Sequence, residues 1–212
     1  MNTDTLEEVN MSIKSIDDFE TALKKSMEML FGECNEYKGM LRSIPEHLGV
    51  SDSGAIIEAA FETGLNSDAP YPLLHFHTTL AQNIEEDKIP GVLAGLNDLN
   101  SVINAGAFPS FGCFCFYAPF KQIFLSYRMA INPDALEEDF ENARYYLASL
   151  YETMDLFIDY IQFLCADPDR MTLKDYMAYL DYVSDMNDLK FRMEQMEKLI
   201  SMMEQGKDAV GD

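Results

Sequence analysis

The chain has 212 residues, of which 48% are hydrophobic, and its 37 acidic against 15 basic side chains give a formal charge of −22. That hydrophobic share supports a core and excludes a disordered chain, and so acidic a surface repels nucleic-acid phosphates and anionic lipid. No apolar run reaches the ~18 residues of a membrane span, and the polar, acidic start MNTDTLEEVNMS is unlike a secretory leader. No membrane partner is therefore expected, and a cytoplasmic location is. Cysteines at 34, 113, 115 and 165 fit that setting as small buried hydrophobes in a reducing compartment.

Residues 1–12 read as a frayed start. Ser15 is a candidate N-cap, with Asp18 in the place of the usual capping-box partner. Ile16, Phe19, Leu23, Met27 and Leu30 then recur at helical spacing, and Gly32 is a plausible stop. From Glu36 to Ile44 the pattern fits either a strand or a further helical turn, ended by Pro45. A strand follows from Ala55 to Thr63, with Ile57, Ala59 and Phe61 on its apolar face and Glu58 and Glu62 opposite. GLNSDAPYP is a turn by composition. The next strand, Leu73 to Gln82, sets Leu74, Phe76 and Leu80 against His75, His77 and Thr79.

The central stretch runs from Pro90 to Ile131. Pro90 suits a first helical turn, and Val92, Leu96, Leu99 and Ile103 form one apolar stripe. Beside it run Leu93, Asn97, Asn100 and Asn104, and Gly106 supplies a left-handed exit. The period then drops to two. Phe114 and Phe116 oppose Cys113, Cys115 and Tyr117, and beyond an APFKQ turn Ile123, Leu125, Tyr127 and Met129 alternate with Phe124, Ser126, Arg128 and Ala130. Two antiparallel strands are expected.

Asn132-Pro133-Asp134 reads as a cap, a first-turn proline and an acid. A long helix to about Leu164 follows, burying Phe140, Leu147, Leu150, Met154, Phe157 and Ile161. After a break at Ala166 to Arg170, Thr172 and Asp175 restart a helix that reaches about Glu204. In it Met186, Leu189, Met193, Met196, Ile200 and Met203 keep the spacing of a two-helix seam, to be packed on the preceding helix or on a second copy.

The run L-x-x-LN-x-LN, formed by Leu93, Leu96, Asn97, Leu99 and Asn100, precedes two strands and a long acidic helix. In this the chain resembles the YbjN family, whose fold is similar to that of the type III secretion chaperones. The likeness covers roughly Ser53 to Asp167. It implies a helix–sheet sandwich that self-associates, binds proteins and catalyses nothing known.

Little in the chain specifies chemistry. His75 and His77 project to one strand face, a usable geometry for zinc if Cys113 and Cys115 came to meet them; no metal and no cofactor is expected. His47 has no local partner pattern, Ser51 and Ser53 lack a nucleophile-elbow setting, and no phosphate-binding glycine loop exists. Glu137, Glu138, Asp139 and Glu141 spread around a helix and suit its N-terminal dipole. Arg128 is expected to pair with an acid. Three asparagines along one helical stripe require an explanation, because Asn is a poor helix former. They either bond backbone at the sheet margin or recognise a partner.

The expected fold is α+β, an antiparallel sheet packed by helices with an additional long C-terminal helix. It forms a single domain over residues 1–212, with a core at 13–165, a helical extension at 172–205, and disordered tails at 1–12 and 206–212. The expected function is non-enzymatic protein or peptide binding by a homodimer. Asn97, Asn100, Asn104 and the Met186 to Met203 seam are the candidate contacts, and the acidic surface favours a basic partner. The alternatives are an acidic immunity-type inhibitor of a basic toxin and a metal-dependent enzyme centred on His75 and His77.

Overall fold

The computed structural model describes residues 12–62, 71–107 and 112–208. The frayed start before Ser12, most of the GLNSDAPYP turn and the last four residues of the tail lie outside the described residues. The chain divides into two units, Met1–Arg170 and Met171–Asp212.

The first unit contains helix α1 (Ile16–Phe31), strands β1 (Cys34–Tyr37), β2 (Met40–Ser43), β3 (Ile56–Glu62) and β4 (Leu73–Ala81), and helix α2 (Ile89–Val102). Strands β5 (Phe114–Tyr117) and β6 (Gln122–Ala130) and the long helix α3 (Leu136–Ala166) complete it. The strands form one antiparallel sheet in the order β1-β2-β3-β4-β6-β5. The fold is therefore α+β.

Period-two alternation turns Leu41, Ile57, Ala59, Leu74, Phe76, Leu80, Ile123 and Leu125 to one face, where all are buried. The helices meet this face with the stripes their sequences define: Phe19, Leu23 and Met27 from α1, and Val92, Leu96 and Leu99 from α2. Helix α3 buries Phe140, Leu147, Leu150, Met154, Phe157 and Ile161. Phe19 joins the layers, its ring edge-on to Phe61 at 5.6 Å and to Phe140 at 5.4 Å. Gly95 sets how closely α2 approaches α3, since a Cβ there would lie 2.4 Å from Leu164 Cδ2.

The caps follow the sequence at α1, where Ser15 Oγ accepts from Asp18 N–H at 3.1 Å and Asp18 accepts from Lys14 N–H. Three local expectations are corrected. Glu36 to Ile44 is neither one strand nor a helical turn: Lys38 and Gly39, at φ 54° and 76°, reverse the chain between β1 and β2. Both turn residues adopt the positive φ of a tight hairpin, although the pair lacks the usual Asn-Gly signature. Asn132 does not cap α3. Its Oδ1 accepts from Asp134 N–H in a local turn, and the helix begins at Leu136, with Asp139 reaching back to the Asn132 N–H. In the second unit, helix α4 (Leu173–Asp208) runs through Gly206 instead of stopping before it. Glycine weakens a helix, but no proline ends this one. Thr172 and Asp175 cap it reciprocally, as expected.

The loop before β3 is held by α3. Gly49 N–H donates to Asp155 Oδ1 at 2.9 Å, Val50 N–H to Asp159 Oδ2 at 2.7 Å and Ser51 N–H to Asp159 Oδ1 at 3.4 Å. Asp159 is 2% exposed, so these amides replace its lost hydration. Gly49 has φ 71°, and a Cβ there would lie 2.7 Å from Asp159 Oδ2, so both its conformation and its contact require glycine. Asp159→Asn should lower stability by about 1–3 kcal/mol, because a carboxamide cannot accept at both oxygens. Asp155→Asn, at an exposed position, should cost less; urea denaturation midpoints of the two variants check the order.

Candidate functional site

Because α1, α2 and α3 cover one side of the sheet, its polar side carries the candidate chemistry. Arg42, Glu58, Glu62, His75, His77, Thr79, Phe124 and Ser126 lie there half-buried, with Arg128 exposed. Arg42 pairs with Glu58 across β2 and β3. Further along, β3, β4 and β6 bring together a second network. Glu62 Oε1 lies 2.8 Å from His75 Nδ1, and His75 Nε2 lies 2.9 Å from Ser126 Oγ. Arg128, opposite His75 in the register, places Nε 3.4 Å from Glu62 Oε2. The pairing expected of Arg128 is thus present.

His75 and His77 do share a face, their rings 6.1 Å apart. The thiols do not join them. Cys115 is opposite Phe124 in β5–β6, and Phe124 is opposite Thr79 in β6–β4, so a whole strand separates the cysteine from the histidine strand. Two strand spacings amount to about 9.5 Å, beyond the reach of a shared ion. The Phe124 ring stacks on His77 at 5.0 Å. Among the described residues no three His, Cys, Asp or Glu side chains group as metal ligands. Cys113 is exposed, Cys115 and Cys165 are partly buried, and Cys34 is buried. Burial pushes the Cys165 thiol up to about 11.

The asparagine stripe divides. Asn100 accepts from the Phe114 N–H at 2.8 Å through Oδ1 and donates to the Phe114 carbonyl at 2.9 Å through Nδ2. It bonds β5 as a neighbouring strand would. Asn97 and Asn104 are exposed. Of the four sequence-selected acids on α3, Glu141 pairs with Arg144 at 2.9 Å, Asp139 holds the Asn132 amide and Glu137 accepts from Ser12 at 3.4 Å. His47 lies 3.5 Å from Asp52 at the surface.

On α4, Tyr182, Met186, Phe191, Met193 and Met196 are 46–63% exposed. The side chains of Leu189, Ile200 and Met203 lie outside the described residues. Among the described residues no helix is long and apolar enough to cross a membrane.

Sequence inspection finds His75 but misses Glu62 and Ser126 as its partners. Each falls on the polar parity of its own strand, yet they meet only through the β3–β4–β6 order, which single-strand alternation does not encode. Comparison with known protein families, characterised proteins and solved structures finds no match to this chain. The class defined here is an α+β protein with a six-stranded antiparallel sheet, helices on one face and a polar network on the other.

Two outcomes follow from this geometry. Asn100→Leu should cost about 1–3 kcal/mol by leaving both Phe114 backbone groups without that partner, whereas Asn97→Leu should leave the denaturation midpoint nearly unchanged. Burial holds His77 below its ordinary 6.5, and the neighbouring His75 ring opposes placing a second positive charge beside it. As pH falls through 6.5 the unfolded chain takes up that proton first, so the fold loses stability between 6.5 and the lower folded value. His77→Gln should therefore flatten the change in urea midpoint between about pH 7.5 and about pH 5.

Proposed function

We propose that this chain is a protein-binding module that works as a homodimer, with α4 as its assembly element. The supporting observation is the set of exposed side chains Tyr182, Met186, Met193 and Met196 on one helix. An apolar helical surface of this kind marks an interaction site more often than a surface left to water. Met186, Met193 and Ile200 take one core position of a heptad, and Leu189, Met196 and Met203 take the other. The flanking register positions agree with pairing of two parallel copies. By sequence, Asp185 and Arg192 take one flanking position and Lys190 and Glu197 the other, so parallel pairing would set opposite charges together in each case.

The topology of one helix, strands, a second helix, a hairpin and a long helix, with the LN-x-LN run on α2, supports a YbjN-like or secretion-chaperone-like module with α4 added. In this reading the chain holds a protein or peptide partner. A charge of −22 favours a basic partner, with faster encounter at low salt than at high.

Light scattering coupled to size exclusion should give twice the 24.1 kDa of the chain. Met193→Glu with Met196→Glu should halve that mass while leaving the far-ultraviolet circular dichroism close to native. A wild-type monomer at all concentrations would remove the assembly reading.

A further inference from the structure

Glu62, His75 and Ser126 are joined end to end by two short hydrogen bonds, and we infer that they form an acid–imidazole–hydroxyl relay able to hydrolyse small carboxylic esters at Ser126. The order of donors and acceptors follows from the chemistry of the groups. An ionised Glu62 only accepts, so the 2.8 Å bond to His75 Nδ1 places the proton of a neutral imidazole on that nitrogen. Nε2 is then bare, and at 2.9 Å it accepts the Ser126 hydroxyl proton. This is the hydrogen-bonding order by which an imidazole activates a serine, a constellation defined by geometry and roles and not by sequence spacing. Arg128 Nε, 3.4 Å from Glu62 Oε2, helps to fix the carboxylate.

The surroundings suit a small substrate. Ser126 is half-buried, on the side of the sheet opposite α1, α2 and α3. Phe124, stacked on His77 at 5.0 Å, lies two positions along the same face of β6 and offers a flat apolar seat. Arg128 lies two positions the other way, about 7 Å along the strand, with its side chain 53% exposed. Its guanidinium is held at the Glu62 end of the relay, where it keeps the carboxylate aimed at His75.

In the reaction Ser126 Oγ bonds to the ester carbonyl carbon while its proton passes to His75 Nε2. The carbon–oxygen bond to the leaving alcohol breaks as His75 returns that proton to it. Water, giving a proton to the same nitrogen, then attacks the acyl-serine ester; the bond between the acyl carbon and Oγ breaks, the carboxylic acid leaves, and the proton on Nε2 returns to Ser126 Oγ. Ester and water are consumed, and acid and alcohol are formed. This goes beyond the binding reading and is independent of it, since the relay lies on the sheet and the proposed assembly seam on α4.

The test uses the full chain with 4-nitrophenyl acetate and, separately, a fluorophosphonate probe. The expected result is 4-nitrophenolate release that falls to background in Ser126→Ala and by about 100-fold in His75→Gln. Glu62→Gln, a positioning change, should lower kcat at least about tenfold with KM unchanged. Equal release by wild type and Ser126→Ala would overturn the inference. If Ser126→Ala fails to fold by circular dichroism, peptide mass spectrometry of the probe-treated wild type decides: an adduct on Ser126 supports the relay, and no adduct there overturns it.

Discussion

The rest of the architecture depends on the two hydrogen bonds between Asn100 and the backbone of Phe114. Among the described residues β5 is the last strand of the sheet, so one row of its backbone groups meets no described strand. Unpaired edges invite further strands, and proteins blunt them with side chains or covering elements. Here a helix does so through a carboxamide, whose oxygen and nitrogen match the spacing of a backbone N–H and C=O. The same contact fixes α2 along the sheet, which in turn seats Val92, Leu96 and Leu99 in the core. An apolar residue could not serve both ends. This accounts for one amide in the stripe, and for a poor helix former being kept in a helix.

The two sides of the sheet carry different burdens. On the helical side apolar area does the stabilising, and the close passage of Gly95 under Leu164 shows how little slack remains. On the other side the side chains are half-buried and mostly charged or aromatic, and several are paired with one another across strands. The pairs Arg42–Glu58 and Glu62–His75 are each formed by side chains of adjacent strands on the same face. Such cross-strand contacts contribute modestly to stability. They fix side-chain direction, which is what a site needs.

Much of the fold was legible in the chain because its signals are periodic. The apolar stripes of α1, α2 and α3, and the inward positions of β3, β4 and β6, could be read residue by residue. What escaped was set by turns and by order. Lys38-Gly39 reverses the chain without a strong hairpin signature, so β1 and β2 merged into one ambiguous stretch. Asn132 bonds locally and displaces the start of α3. The site was less legible still. His75 and His77 drew attention by type, but their neighbours depend on which strands lie side by side, and β6, not β5, is next to β4. That single fact separates the thiols from the imidazoles and brings Ser126 to His75.

The clasp of Asp159 on the Val50 and Ser51 amides joins residues 109 and 108 positions apart. During synthesis the early hairpin and α1 emerge long before the acid that secures the loop between β2 and β3. That loop's own Leu48–Ser53 bridge can form early, but its anchorage to the second half of α3 spans so much chain that it is a late, entropically costly step.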